Sequence, residues 1–203
     1  MSEMIKQLNV PLFVPGHRVE LLPKAAASGA DAVIMDLEDA VAEADKPAAH
    51  INIGNRPDLP VPLVVRVNAG DTEWFARDLA VLAKNPPSMV MLPKAETTTS
   101  IDAIVKVLGS DMPVVPIIET AAGLAGLASL LAHPAVQQCA FGHLDFALDI
   151  GASSQWDCLQ YARGKIVFQT RLAGKAAPLD GVTVRFDDPA IVTSEAVRAQ
   201  LRQ

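Results

Sequence analysis

Residues 24–41 read KAAASGADAVIMDLEDAV, and the fold follows from this stretch. A small-residue helical segment runs toward Gly29, a residue free to take the left-handed backbone that terminates helices. The apolar run Ala32–Met35 is short and does not alternate with polar residues. It is therefore read as a strand buried on both faces, as parallel strands are. That strand leads directly into Asp36, Glu38 and Asp39, so an apolar strand body is followed by an acidic turn.

The same unit recurs in both directions. Upstream, Leu8–Val14 is a strand closed by Pro15-Gly16, with a helical pattern from about Arg18. Downstream, Val41–Asn55 is polar and contains Pro47, so a short helix is expected. Leu63–Val67, Met89–Leu92 and Val114–Ile118 are further strands. Each is followed by a helix, with Thr72, a Thr99/Asp102 capping box and Thr120 as the start signals. Gln138–Phe141 opens a sixth strand, and a helix follows from about Asp157 to Leu172. Pro178–Val184 reads as a seventh strand, and Asp188-Pro189 starts a last helix. No composition shift divides residues 1–203, so a single α/β domain is expected. Strict alternation implies a parallel sheet with right-handed crossovers, either a closed barrel or an open doubly wound sheet. A barrel of this type usually has about 250 residues and eight units.

The bulk properties narrow the function. Half of the 203 residues are apolar, aromatics are scarce and the formal net charge is −6. An acidic chain without a Lys/Arg block lacks the basic surface that nucleic acid or an anionic membrane requires. The N-terminus has no secretory signal pattern, and no run of about eighteen apolar residues could span a bilayer. Cys139 and Cys158 form no C-x-x-C pair and read as small hydrophobes in a reducing compartment, so a cytoplasmic location is expected.

In either architecture the chemistry belongs at the carboxyl ends of the strands. Charged groups recur there: Asp36, Glu38 and Asp39 after strand two, Arg66 with Asn68 at strand three, Lys94 after strand four, Glu119 after strand five and Asp145 after strand six. Clustered carboxylates call for a cation. Without a Cys or His grouping that cation is a hard one, Mg²⁺, which takes one or two carboxylates and leaves positions for substrate oxygens. Glu119 and Asp145 are the candidate ligands. Arg66 offers a planar fork for an oxo-acid, and Asp39 or a metal-bound hydroxide is the candidate base. Lys94 is expected to pair with a carboxylate, and Asp36 and Glu38 to support the metal site. His17, His50 and His133 read as surface or turn residues, and Gly123-x-x-Gly126 as a packing feature.

LFVPGHR (12–18), KAAASGADAVIMDLEDAV (24–41), VVRVNAGDT (64–72), MLPKAE (91–96), IIETAAGL (117–124) and FGHLDFALDIG (141–151) together resemble the HpcH/HpaI aldolase and citrate lyase β-subunit superfamily, on its citrate lyase β-subunit-like side. The resemblance implies a TIM-type barrel, a homo-oligomer (trimer or hexamer), and a Mg²⁺-dependent carbon–carbon lyase joining or cleaving an acyl-CoA enolate and an oxo-acid, as with citryl-CoA or malyl-CoA. It places the metal on Glu119 and Asp145, the substrate arginine on Arg66, and the CoA contacts on Arg18 and Lys24. Two departures stand out: Leu144 occupies a position where many relatives carry Glu, and the chain stops at Gln203, before the eighth strand and C-terminal segment of the family. A reduced barrel is therefore expected, its gap covered by a partner subunit or by the last helix. The alternatives are a non-catalytic binder of CoA or a CoA derivative, and a metal-dependent acyl-CoA thioesterase.

Overall fold

A computed structural model of the chain describes residues 7–185 and 187–200. Six parallel strands lie in chain order: β1 (Pro11–Pro15), β2 (Ala32–Asp36), β3 (Leu63–Arg66), β4 (Met89–Leu92), β5 (Val114–Ile118) and β6 (Ala140–Phe141). Their connections carry α1 (Leu22–Ala26), α2 (Lys46–Asn55), α3 (Glu73–Leu82), α4 (Thr99–Leu108) and α5 (Ala121–Ala132). Beyond β6 come α6 (His143–Asp149), α7 (Gln160–Leu172) and α8 (Pro189–Gln200). The sheet curls into a half-barrel, the reduced TIM-type architecture expected from the sequence.

The curl follows from side-chain parity. Successive residues of a strand point to opposite faces, and both faces here are apolar. Ile34, Val64, Met91, Val115 and Ile117 meet in an inner cluster with Leu8 and Leu179. Their neighbours Val33, Met35, Val65, Val90 and Ile118 join the larger outer cluster under the helices. Inward parity continues past the strand bodies to Asp36, Arg66 and Glu119, which carries these charged side chains to the mouth.

Several local expectations are corrected. Pro178–Val184 is not a strand: only Leu179 bridges Ala140, and the chain then leaves the sheet. Pro178 has no N–H to donate, and Asp180 turns its carboxylate onto Arg163 and onto the N–H of Gly181. Pro47 does not shorten α2. It sits in the first turn, where its missing N–H has no helical partner to lose. The Thr99/Asp102 capping box does not form; Asp102 instead meets His133 at 3.2 Å. Thr120 does cap α5, accepting from the N–H of Gly123. Gly123 and Gly126 are packing glycines as expected, since a Cβ on either would strike the carbonyl of Ala95 or Glu96. Cys139 is buried, whereas Cys158 is exposed. Among the described residues no helix is long and apolar enough to cross a membrane.

At the amino end of the sheet a side chain bridges the gap between β1 and β6. The buried amide of Gln138 accepts from the N–H of Leu8 at 2.9 Å and donates to its carbonyl at 2.8 Å. It also donates to the carbonyl of Ala177 at 2.6 Å. Gln138 thus behaves as one more peptide unit between segments 130 residues apart. Gln138→Leu keeps the volume and strands these backbone groups. Each buried unsatisfied group costs roughly 1–3 kcal/mol, so a loss of about 3 kcal/mol in urea denaturation is expected. A change below about 0.5 kcal/mol would show that the latch contributes nothing to closure.

Candidate functional site

The mouth is built from strand ends, beginning at β1. Gly16 donates its N–H to the carbonyl of Asp36 at 2.7 Å, and a Cβ there would collide with that same oxygen. The glycine therefore lets the β1 turn close against the end of β2. Asp36, fully buried, accepts four hydrogen bonds. Two come from the N–H groups of Glu38 and Ala40, at 3.0 and 2.9 Å. Two come from Arg66, Nε at 2.6 Å and Nη2 at 2.7 Å. Its lone pairs are thus committed to the loop and to the arginine, which leaves it a supporting group.

Arg66 is held in a fixed plane by that fork. Its Nη1 lies 3.1 Å from Glu38 Oε2 and 3.4 Å from Asp39 Oδ2, and its guanidinium carbon sits 5.1 Å from the Phe13 ring centre. Burial works against its charge, but the hydrogen bonds it donates to Asp36 and the neighbouring carboxylate charges outweigh it and drive its pKa upward. Asp39 is the outermost of the group, with its side chain 58% exposed. Glu38 is buried between two cations, Arg66 and Lys94, the latter with Nζ 3.4 Å from Glu38 Oε1. Burial pushes its pKa up to about 7, with Arg66 opposing the shift and Asp39 adding to it.

Lys94 contributes its backbone as well. It is the single non-glycine residue with positive φ among those described, at 47°. Its N–H donates to Glu119 Oε1 at 2.7 Å. A left-handed non-glycine residue costs on the order of 1 kcal/mol, and here that conformation aims an N–H at a buried carboxylate. Glu119 is 3% exposed. Gly142 backs it, since a Cβ at 142 would overlap Glu119 Oε2. Burial pushes the Glu119 carboxyl up to about 7; the N–H of Lys94 opposes this, and the charges of Glu38 and Asp145 reinforce it. Asp145 enters on the first turn of α6 and has no hydrogen bond or ion pair among the described residues.

Five carboxylates therefore face two cations, and the deficit lies on the β5–β6 side. No group of three or more His, Cys, Asp or Glu among the described residues could enclose a metal ion. Glu119, which accepts a single backbone N–H, and Asp145, which has no partner among the described residues, do match the habit of Mg²⁺, which keeps waters and substrate oxygens in its shell. The donor set fits that ion.

The remaining residues singled out in the sequence fall outside this cluster. Arg18 pairs with Glu20, and Lys24 is exposed on α1. His143 is buried beside Phe141 and Gly181, its Nδ1 without a partner among the described residues; burial and Arg163 hold its pKa below the usual imidazole value. His133 is a turn residue, accepting from the N–H of Ala135. His50 is neither surface nor turn. It is half-buried on α2, 2.6 Å from Asp78. Lys46 and Asp78 were not singled out from the sequence, because Lys and Asp on polar helix faces give no signal of burial. The i, i+4 spacing of Lys46 and His50 was the available hint.

The HpcH/HpaI aldolase/citrate lyase family profile matches residues 9–200. A citrate lyase subunit beta-like protein of Mycobacterium tuberculosis is 37% identical over 192 residues, 91% of this chain and 68% of that protein. A (3S)-malyl-CoA thioesterase of Cereibacter sphaeroides is 31% identical over 214 residues, 100% of this chain and 71% of that protein. Among solved structures, the citrate lyase beta subunit of M. tuberculosis complexed with oxaloacetate and magnesium superposes with a TM-score of 0.85 at 34% identity. The match covers 97% of this chain and 88% of that one.

The electrostatics predict how stability varies with pH. Glu38 and Glu119 are raised from 4.5 to about 7, so between those values the folded chain holds protons that the unfolded chain has released. Stability therefore falls as pH rises through that window. Protein stripped with a chelator is expected to lose roughly 5 °C of Tm between pH 5 and 7.5, and Glu38→Gln with Glu119→Gln should flatten the slope. A wild-type Tm that rises across the window would contradict these buried, raised carboxylates.

Proposed function

Because the chain belongs to the HpcH/HpaI aldolase/citrate lyase family, we propose that it is a Mg²⁺-dependent carbon–carbon lyase acting on an acyl-CoA/oxo-acid adduct such as citryl-CoA or malyl-CoA. The observation that carries this reading is the pair Glu119 and Asp145, left without enough positive charge beside an arginine fork that is fixed in plane. When bound there, Mg²⁺ supplies Lewis-acid polarisation of the oxo-acid carbonyl and charge compensation for the enolate.

The protein's own groups do the rest. Cleavage takes the proton from the 3-hydroxyl, breaks the C2–C3 bond and leaves a thioester enolate, which is then reprotonated. Arg66 spends Nε and Nη2 on Asp36, which fixes its plane, and exchanges the Nη1 contact with Asp39 for the carboxylate of the oxo-acid. Glu119 and Asp145 are the metal ligands, with Glu119 held by the N–H of Lys94. Proton transfer falls to the carboxylates beside Arg66. Glu38, raised to about 7, can give and take a proton at neutral pH, and Asp39 stands at the solvent side. Arg18, in the segment after β1, and Lys24, exposed on α1, are the proposed contacts for the CoA portion.

The test incubates purified protein and Mg²⁺ with malyl-CoA and citryl-CoA and identifies products by mass. Acetyl-CoA with the free oxo-acid is the expected outcome. Glu119→Ala should lower the rate at least about 1000-fold and Glu38→Gln about 100-fold, with Asp39→Asn the milder of the two carboxylate variants. Unchanged turnover in Glu119→Ala would end the assignment. A second reading, a thioesterase, is favoured by the malyl-CoA thioesterase relative; free CoA with the intact hydroxy acid would select it. Acetyl-CoA binding without any product would select a non-catalytic CoA binder.

The same reading takes the protein to be cytoplasmic, consistent with two unpaired cysteines, and a homo-oligomer, trimer or hexamer. Exposed Tyr161, Phe168 and Leu172 on α7, with Leu148 on α6, are the apolar surface that an assembly would cover. Light scattering at micromolar concentration should give a mass of at least three chains, and a monomer would overturn this part of the proposal.

A further inference from the structure

Beneath the β2 and β3 loops lies a buried polar relay that the chemistry above does not use. Lys46, the first residue of α2, is 7% exposed. Its three ammonium donors meet three oxygens: the carbonyl of Leu37 at 2.8 Å, the carbonyl of Glu38 at 3.3 Å and Asn68 Oδ1 at 2.6 Å. Among the described residues no carboxylate touches it. The compensating charge is one residue further on, because Asn68 donates both its backbone N–H and its Nδ2 to Asp78 Oδ2, at 2.7 and 2.8 Å. Asp78 is fully buried on α3, and its other oxygen lies 2.6 Å from His50 Nε2. His50 returns the path to α2, four residues after Lys46, and the Trp74 ring meets its imidazole at a tilt of 57°.

A buried ammonium bound only to neutral oxygens is a poor source of stability, since apolar residues of similar volume often do as well. What it supplies here is position. The N–H of Glu38 is held by Asp36 and its carbonyl by Lys46, so both backbone groups of that residue are fixed. Asn68 ties the same ammonium to the loop that follows Arg66. We propose that Lys46, backed by Asn68, Asp78 and His50, is a positioning residue that holds Glu38 and Arg66 in register to receive the carboxylate of an oxo-acid. The inference rests on the proposed lyase reading for the identity of that ligand. Lys46 acts through Glu38 and Arg66 without reaching the ligand. The metal half of the mouth is held separately, by the N–H of Lys94 and the close approach of Gly142.

That separation makes the inference testable with two probes, Mg²⁺ alone and oxaloacetate at saturating Mg²⁺, each titrated calorimetrically into the full chain. Lys46→Met is expected to weaken oxaloacetate at least tenfold while Mg²⁺ affinity stays within twofold. Asp78→Asn, which keeps the volume and spares Lys46, is expected to weaken oxaloacetate about threefold with the same sparing of Mg²⁺. It decides the matter if Lys46→Met does not give the wild-type circular dichroism spectrum. A merely structural role would lower Tm and leave this ratio unmoved. Oxaloacetate binding within twofold of wild type in the folded variants, or equal loss of both ligands, would overturn the inference alone. Wild-type protein that takes Mg²⁺ but no oxaloacetate would overturn the oxo-acid reading and the inference with it.

Discussion

A guanidinium buried among three carboxylates is the interaction on which the mouth of this half-barrel depends. Arg66 is delivered inward by the parity of β3, and Asp36 by the parity of β2, so adjacent strands present their charges side by side. A bidentate pair fixes a plane as well as a distance. With both Asp36 oxygens also accepting backbone N–H groups, the pair sets the course of the acidic loop from its first residue. Removing either partner would leave an uncompensated buried charge, a loss of several kcal/mol. The arrangement therefore stands or fails as a unit.

The two halves of the mouth differ in how their charge is balanced. On the β2–β4 side Arg66 and Lys94 surround Glu38. On the β5–β6 side Glu119 has one backbone N–H and Asp145 has no partner among the described residues. The interior is too well packed to relieve this by movement, because Gly142 is already at contact with Glu119. The carboxylates must either hold a proton, which the raised pKa of Glu119 reflects, or share a cation. On the proposed reading the first half orients an anion and the second takes a positive ion. An oxo-acid, with a carboxylate and a carbonyl a bond apart, suits both.

Much of this was legible in the sequence because parallel strands announce themselves. AVIM, LVV, MVML and VVPII are apolar on both faces, and the first charged residue after each marks the mouth. Asp36, Arg66, Lys94 and Glu119 follow from that rule, and Asp145 from its extension to the shorter run that ends at Phe141. The rule fails where a strand is made by something other than its own pattern. The run 178–184 has β-branched residues at the right spacing, yet Asp180 and Gly181 make better contacts with Arg163 and His143, and the strand is lost. Gln138 closes the sheet with a side-chain amide, which no backbone pattern encodes. Lys46, Asp78 and His50 look like solvated polar residues until the fold stacks α2 and α3 over two loops.

The position of that relay bears on why the acidic loop carries three carboxylates. Arg66 Nη1 donates to Asp39 Oδ2 at 3.4 Å, whereas Glu38 Oε2 lies 3.1 Å away as an ion pair without a hydrogen bond. The two carboxylates also differ in backbone restraint. With its N–H and carbonyl both held, Glu38 has little freedom beyond its own side-chain torsions, whereas Asp39 keeps a solvent-exposed side chain and no comparable anchor. An arriving ligand carboxylate that competes for Nη1 should therefore displace Asp39 and leave Glu38 in place. The cost of ordering Glu38 has already been met in folding the loop, so binding need not supply it again. Preorganisation of this kind explains a polar network that packing alone would not require.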